Sequence, residues 1–329
     1  MFKIITYNLL ILFIFIIFLE LILKFFYPIV HGGVYYNIED NNKIIPSLPD
    51  PFILKKNKKF IHKSKEFNSI VTSNDYGNRI SNEIDMPNTL LFLGDSFTFG
   101  HGVSDNETFT FLFCTFKNIR CVNLGKSGTD QGSQLEILET YLKNQNPQIY
   151  KVNLLLFMSC NLNTSGNDLS ANLRRYNDQF KINSQVKTAE KSKTFFNIND
   201  SIYSFKNILY KSEILKRFIN IFISSLKNNL HSCSDTQDLK DAFMATKFYI
   251  NEITKVVRKN NAKIKVYSIL PYFELKNAIS KSLLKKYLKS YNLNIYNIDS
   301  LAPNDYYKFD GHLNRNGHIK IFKFLSKIN

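Results

Sequence analysis

Five short apolar runs, Thr89–Leu93, Ile119–Leu124, Val152–Met158, Ala262–Leu270 and Leu293–Ile298, constrain the fold of this chain more than any other feature. Each has strand length and is close to continuously apolar, the pattern of strands covered on both faces, and amphipathic stretches separate them. Leu239–Arg258 predicts a helix feeding the fourth strand, and Leu283–Ser290 a shorter one feeding the fifth. Asn316–Ile328 places Ile319, Ile321, Phe322, Phe324 and Leu325 near one face and predicts a closing helix. A parallel sheet between two helical layers follows, an α/β class of domain.

The N-terminus obeys different rules. From Ile4 to about Tyr27 the chain is apolar, interrupted only by Asn8, Glu20 and Lys24. About 20 such residues cross a hydrocarbon core of roughly 30 Å, so residues 1–27 are expected to form a transmembrane anchor. A cleaved signal peptide is disfavoured, because no small-x-small site follows the run. Lys3 and the amino terminus precede the run, whereas Glu39 and Asp40 come before the next lysine after Lys24. This bias predicts a single-pass protein with a cytoplasmic N-terminus and an extracytoplasmic catalytic domain, contacting lipid through that helix.

Residues 28–87, rich in Pro, Asn and Lys, show little periodicity and are expected to form a stalk and outer wrapping without a core strand. The α/β domain is expected over 88–329. A polar insertion at about 162–235 interrupts it, and its one amphipathic stretch, Tyr203–Leu226, would serve as a lid.

A formal charge of +16 raises nucleic-acid binding, but the lysines are scattered and no zinc-finger, RRM or basic-zipper pattern accompanies them. Anionic lipid or acidic glycan is the expected partner of that charge, and nucleic acid is not. The four cysteines form no C-x-x-C pair and read as small apolar fillers, although Cys114 and Cys121 can pair if the domain is exported.

The chemistry gathers at strand ends. Leu90–Gly100 reads as strand, sharp turn, serine, so Ser96 would sit where its own N–H can hold a developing oxyanion. Asp95 reads as a turn-stabilising residue. Val122-Asn123-Leu124-Gly125 ends the second strand and Asn161 directly follows the third. Near the C-terminus, Asp310-Gly311-His312 offers a carboxylate to orient one imidazole nitrogen while the other accepts a serine proton. His318 would pack or cap the closing helix, and His101, beyond the serine turn, would either line the pocket or stand exposed on the loop. No metal or other cofactor is expected, because His312 and His318 lack carboxylate or cysteine partners at ligand spacing.

Taken in order, Gly94-Asp95-Ser96, Gly125, Asn161 and Asp310-x-His312 resemble the conserved blocks of the SGNH (GDSL-like) hydrolases and acyltransferases of membrane-anchored bacterial type. The third block departs from the family pattern at the glycine and aspartate positions, and a literal Gly166-Asn167-Asp168 follows, so Asn161 and Asn167 compete for one role. The Asp-x-His spacing resembles a subset of polysaccharide-acetylating relatives. Ser73-Asn74-Asp75-Tyr76-Gly77-Asn78-Arg79 resembles an element preceding the first block, in which Arg79 would fix the wrapping segment or, as the lesser expectation, bind substrate.

The resemblance implies a flavodoxin-like, three-layer sandwich with a five-stranded parallel sheet, plus the N-terminal transmembrane helix. It also implies Ser96, His312 and Asp310 as catalytic residues, with Ser96, Gly125 and Asn161 as the oxyanion hole. The implied activity is a serine esterase or O-acyltransferase acting on acyl esters of a cell-envelope glycan or polysaccharide. The rival is a catalytically inactive, membrane-tethered glycan-binding or assembly module on the same fold.

Overall fold

In the structure, a computed structural model, the five runs form one parallel sheet. The structure describes residues 2–26, 34–37, 43–45, 54–82, 84, 86, 88–160, 162, 168–180, 233–291 and 294–328. The chain divides into two units, residues 1–30 with 180–232, and residues 31–179 with 233–329.

Of the first unit, one helix of the described residues stands out, α1 (Phe2–Phe26). Its side chains are described continuously only over 11–23, where Ile11 through Phe18 are all exposed. Among the described residues no helix is long and apolar enough to cross a membrane.

The second unit holds two sheets. The first is antiparallel, β1 (Val34–Asn37), β2 (Lys43–Ile45), β3 (Lys59–Lys63) and β4 (Asn68–Thr72), in the order β2-β1-β3-β4. No core strand is expected within residues 28–87, yet four strands lie there. The β3–β4 hairpin does alternate, with Phe60, His62, Ser69 and Val71 buried, but half of that inward set is polar while Ile61 and Ile70 face outward. Hydropathy therefore shows no period of two, although burial does.

The second sheet comprises β5 (Thr89–Leu93), β6 (Arg120–Asn123), β7 (Ile149–Phe157), β8 (Lys263–Ile269) and β9 (Ile295–Asn297), in the order β6-β5-β7-β8-β9. All pairings are parallel. Numbered within this sheet the order is 2-1-3-4-5, the flavodoxin-like arrangement, and strand order reverses between β5 and β7.

All five residues of β5 are buried, as a central strand covered on both faces requires. Leu91 and Leu93 point into one apolar layer with Leu138 of α4 (Gln131–Gln145), Ile250 of α6 (Gln237–Lys259) and Leu284 of α7 (Ala278–Lys289). Leu90 and Phe92 point into the other, with Phe109 and Phe113 of α3 (Phe109–Lys117) and Ile321 and Leu325 of α8 (Arg315–Ile328). Two further helices, α2 (Ser96–Phe99) and α5 (Asp168–Phe180), follow β5 and β7.

The helix starts are legible in their caps. Thr236 accepts from the Leu239 N–H, and Asn277 accepts from the N–H groups of Ile279 and Ser280.

The cysteines are not fillers. Cys114 is bonded to Cys121, with Cα atoms 6.0 Å apart, and Cys160 to Cys233, with Cα atoms 5.6 Å apart. Sequence spacing could not reveal the second pair, because 73 positions separate its members.

Candidate active site

Ser96 begins immediately beyond β5, at the strand-order reversal where open α/β sheets present their functional groups. The turn depends on Gly94, since a Cβ there would collide with the Thr98 side chain and come within 3.0 Å of the Leu155 carbonyl oxygen. Asp95 accepts from the Phe97 N–H at 2.9 Å and stays buried, so it stabilises the turn. Burial pushes its carboxyl up to about 7 against the opposing pull of that bond.

The other half of the site arrives from the C-terminus. Asp310, Gly311 and His312 make a tight turn in which Gly311 adopts φ 84°, and the Tyr307 N–H donates to the His312 carbonyl at 2.8 Å. His312 Nε2 lies 2.8 Å from Ser96 Oγ, and His312 Nδ1 lies 2.6 Å from Asp310 Oδ1. Ser96 and a pair of residues more than 200 positions further along the chain thus form one hydrogen-bonded line.

Burial alone would raise the Asp310 carboxyl, but the His101 and His312 rings beside it hold it well below the usual carboxylate range. It is therefore a permanent anion at neutral pH. The antiparallel sheet braces this turn, since the Glu66 carboxylate on the β3–β4 loop accepts from the N–H groups of Phe309 and Asp310 at 3.0 and 2.7 Å.

His101 is buried rather than displayed on a loop. Its N–H donates to the Ser96 carbonyl at 3.0 Å, and its ring stacks on His312 with centroids 4.1 Å apart. Arg79, wholly buried, pairs with Asp105 at 2.9 Å and donates to the carbonyls of Phe99, Gly100 and Val103. The resemblance's structural role for Arg79 is therefore the one its contacts describe. His318 lies in the first turn of α8, buried, accepting from the Phe109 N–H.

One expected oxyanion donor needs correction. Gly125 is turned to other work: its N–H donates to Asn123 Oδ1 at 2.9 Å, and its α-carbon packs so closely on the α2 backbone that a Cβ would overlap Phe99 N. Gly128 instead lines the cleft beside Ser96, in the left-handed conformation at φ 76°. Among the described residues neither its N–H nor that of Ser96 is spent on an acceptor.

A Lys-Ser-Gly stretch after the strand was visible in the sequence, but which glycine faces the serine depends on the loop's path. Asn161 and its rival Asn167 lie outside the described residues, as does Tyr203–Leu226. Asp168 is described: it is buried, receives the Phe157 N–H at 3.1 Å and Gln131 Nε2 at 2.6 Å, and is pushed upward by burial and by nearby Asp95.

The cleft measures about 570 Å³ and is walled by Phe97, Phe157, Pro271 and Tyr272, with Lys308 and exposed Phe309 at one side. A mostly apolar wall with a few convergent polar groups fits a small organic substrate. His101, Asp310 and His312 could offer ligand atoms to a cation, all within 4.8 Å of one another, but only by giving up the His312–Asp310 hydrogen bond. Cys160 and Cys233 near Glu274 are bonded to each other and offer no thiolate.

No protein-family model matches the chain, and no curated protein matches it. Among solved structures, it is similar to a protein described as lipolytic and of the G-D-S-L family from Desulfitobacterium hafniense DCB-2, at 11% identity over 73% of this chain and 99% of that one, TM-score 0.40. It is also similar to a psychrotrophic esterase from Pseudoalteromonas sp., at 13% identity over 73% and 96%, TM-score 0.37. A third is an acetylxylan esterase from Geobacillus stearothermophilus, at 14% identity over 76% and 95%, TM-score 0.35. The chemistry of the site is read from this chain's own side chains.

Proposed function

We propose that the chain is a serine hydrolase of the SGNH type, and more particularly an esterase or O-acyltransferase acting on acyl esters of a glycan or polysaccharide. The observation that carries this reading is the continuous line Ser96 Oγ, His312 Nε2, His312 Nδ1, Asp310 Oδ1, with both contacts at hydrogen-bond length.

His312 Nε2 takes the Ser96 proton as Oγ attacks the acyl carbonyl carbon, and Asp310 holds the imidazole in the tautomer that accepts at Nε2. Negative charge gathers on the former carbonyl oxygen, and the N–H groups of Ser96 and Gly128 receive it, with Asn161 or Asn167 as the side-chain donor. The tetrahedral adduct then collapses. The C–O bond to the leaving alcohol breaks, His312 returns the proton to that alcohol, and an acyl-Ser96 ester remains. Water or a sugar hydroxyl, deprotonated by His312, attacks this ester and restores Ser96. Hydrolysis and transfer diverge only in that last acceptor.

Aromatic Tyr272 and Phe309 beside Lys308 at the cleft suit a sugar ester, and the +16 charge suits an acidic polymer. Two disulfides support residence in an oxidising compartment outside the cytoplasm. The apolar sequence from Ile4 to about Tyr27 supports a membrane anchor, and Lys3 before it with Glu39 and Asp40 after it supports a cytoplasmic N-terminus. The hydrogen-bonded triad weighs against the inactive-module reading.

The test is treatment of the protein with a chromogenic acyl ester and a fluorophosphonate probe beside Ser96→Ala. Hydrolysis and labelling that vanish in the variant support the reading; equal background signals in both reject it.

A further inference from the structure

A second imidazole stands behind the first. The His101 ring lies nearly parallel to His312, tilted by 25° at a centroid distance of 4.1 Å. Its Nε2 is 3.5 Å from Asp310 Oδ2, the carboxylate oxygen that His312 does not use. That distance falls short of a formed hydrogen bond, so a buried nitrogen is held facing an anion without another partner. Buried polar atoms left this way are uncommon and call for an explanation.

The surroundings fix the ring from every side. His62 of β3 meets it edge-on at 4.4 Å and Phe67 at 5.5 Å. Arg79 grips the carbonyls on either side of its turn, at Gly100 and Val103. A carboxylate can only accept, so the nitrogen facing Asp310 carries the proton. The charged and titratable groups around the ring are His62, His312, Asp310 and Arg79. Burial, and then the nearby His312 and Arg79, push His101 down to about 4 despite Asp310, so it is uncharged at neutral pH.

We propose that His101 is a positioning residue for the triad: its ring fixes the plane of His312, and its Nε2–H, aimed at Oδ2, stops the Asp310 carboxylate from swinging away from His312. A carboxylate bonded through one oxygen alone can rotate about its Cβ–Cγ bond, and the attraction between its other oxygen and an N–H 3.5 Å away opposes that rotation. The neutral state matters, because a stacked cation would oppose the imidazolium that forms when His312 takes the serine proton. The proposal rests on the hydrolase reading above.

The test compares the full-length protein with His101→Phe, which keeps a flat ring but loses the donor, and His101→Gln, whose amide nitrogen can stand near the Nε2 position. Two quantities are read: fluorophosphonate labelling and ester turnover, and the low-field proton resonance of the His312–Asp310 hydrogen bond. The expected result for His101→Phe is a fall of about tenfold in kcat and labelling rate with KM unchanged, and broadening or loss of the resonance. His101→Gln should stay within about threefold of the wild type and keep the resonance.

Wild-type rates and resonance in His101→Phe, or equal impairment of both variants, would overturn the proposal and leave His101 as packing. If the wild type itself shows no Ser96-dependent labelling, the hydrolase reading fails, and the resonance still decides whether His101 holds Asp310 and His312 together.

Discussion

The two sheets of the second unit supply the candidate site in opposite ways. The parallel sheet gives it Ser96 by position, since the end of β5 at a strand-order reversal is where any chain of this topology presents a side chain. The antiparallel sheet gives it nothing that reacts, yet Glu66 holds the Asp310 turn and His62 and Phe67 hold His101. Reactive groups are thus placed by general topology, and their alignment by contacts peculiar to this chain.

The largest effect falls on the parallel-sheet side of this comparison. Ser96→Ala should lower ester turnover by about 10³-fold or more while leaving the melting temperature within a few degrees, and His312→Ala should lower turnover as much while also losing the stacking of its ring on His101. Steady-state kinetics beside a thermal melt check this. A collapse of folding in either variant would mean that the residue is structural.

Next comes Arg79, which joins the two regions. Arg79→Ala leaves Asp105 and several carbonyls buried without their cation, so a loss of about 3–5 kcal/mol is expected in denaturant unfolding. Arg79→Lys should recover little of it, since an ammonium cannot span acceptors spread over Phe99, Gly100, Val103 and Asp105.

Glu66→Ala tests the antiparallel side alone. Water can replace the carboxylate at these half-exposed N–H groups, so stability should hardly change, but a looser Asp310 turn should lower kcat by about tenfold. Unchanged kinetics would reduce the antiparallel sheet to a covering.

The smallest effect is visible only in acid. His101 is neutral when folded down to about pH 4, whereas in the unfolded chain it takes a proton near 6.5. Within that window the unfolded state binds more protons, so stability falls as pH drops from about 6.5 toward 4. His318, pushed down to about 3 by burial, adds to the same slope. His101→Phe removes one contributor and should make the slope shallower by at most about 1.4 kcal/mol per pH unit, with no change from this source at neutral pH.

The parallel sheet was legible because a strand buried on both faces must be apolar throughout, and Thr89–Leu93 coincides with β5 to the residue. Ser96, Asp310 and His312 were singled out by the resemblance of Gly94-Asp95-Ser96 and Asp310-x-His312 to family blocks, and the structure brings the three side chains within hydrogen-bond distance. The hairpin of β3 and β4 was not legible, since its inward positions include His62 and Ser69, polar residues that break the apolar alternation although Ser69 Oγ donates to the His62 carbonyl within the hairpin. The exchange of Gly125 for Gly128 was not legible either. Both glycines follow β6, and only the loop's return past Gly94, where the Lys126 N–H donates to the Gly94 carbonyl at 3.1 Å, decides which one meets the cleft.

The Cys160–Cys233 bond has a consequence for how the chain can be taken apart. It joins the residue three positions beyond β7 to one shortly before α6, so residues 161 to 232 run between two covalently joined positions. A protease cutting anywhere within those residues would yield two fragments that run as one band on a non-reducing gel and separate only when a thiol is added. Cleavage between the two cysteines therefore leaves β7 and α6 joined by one covalent bond.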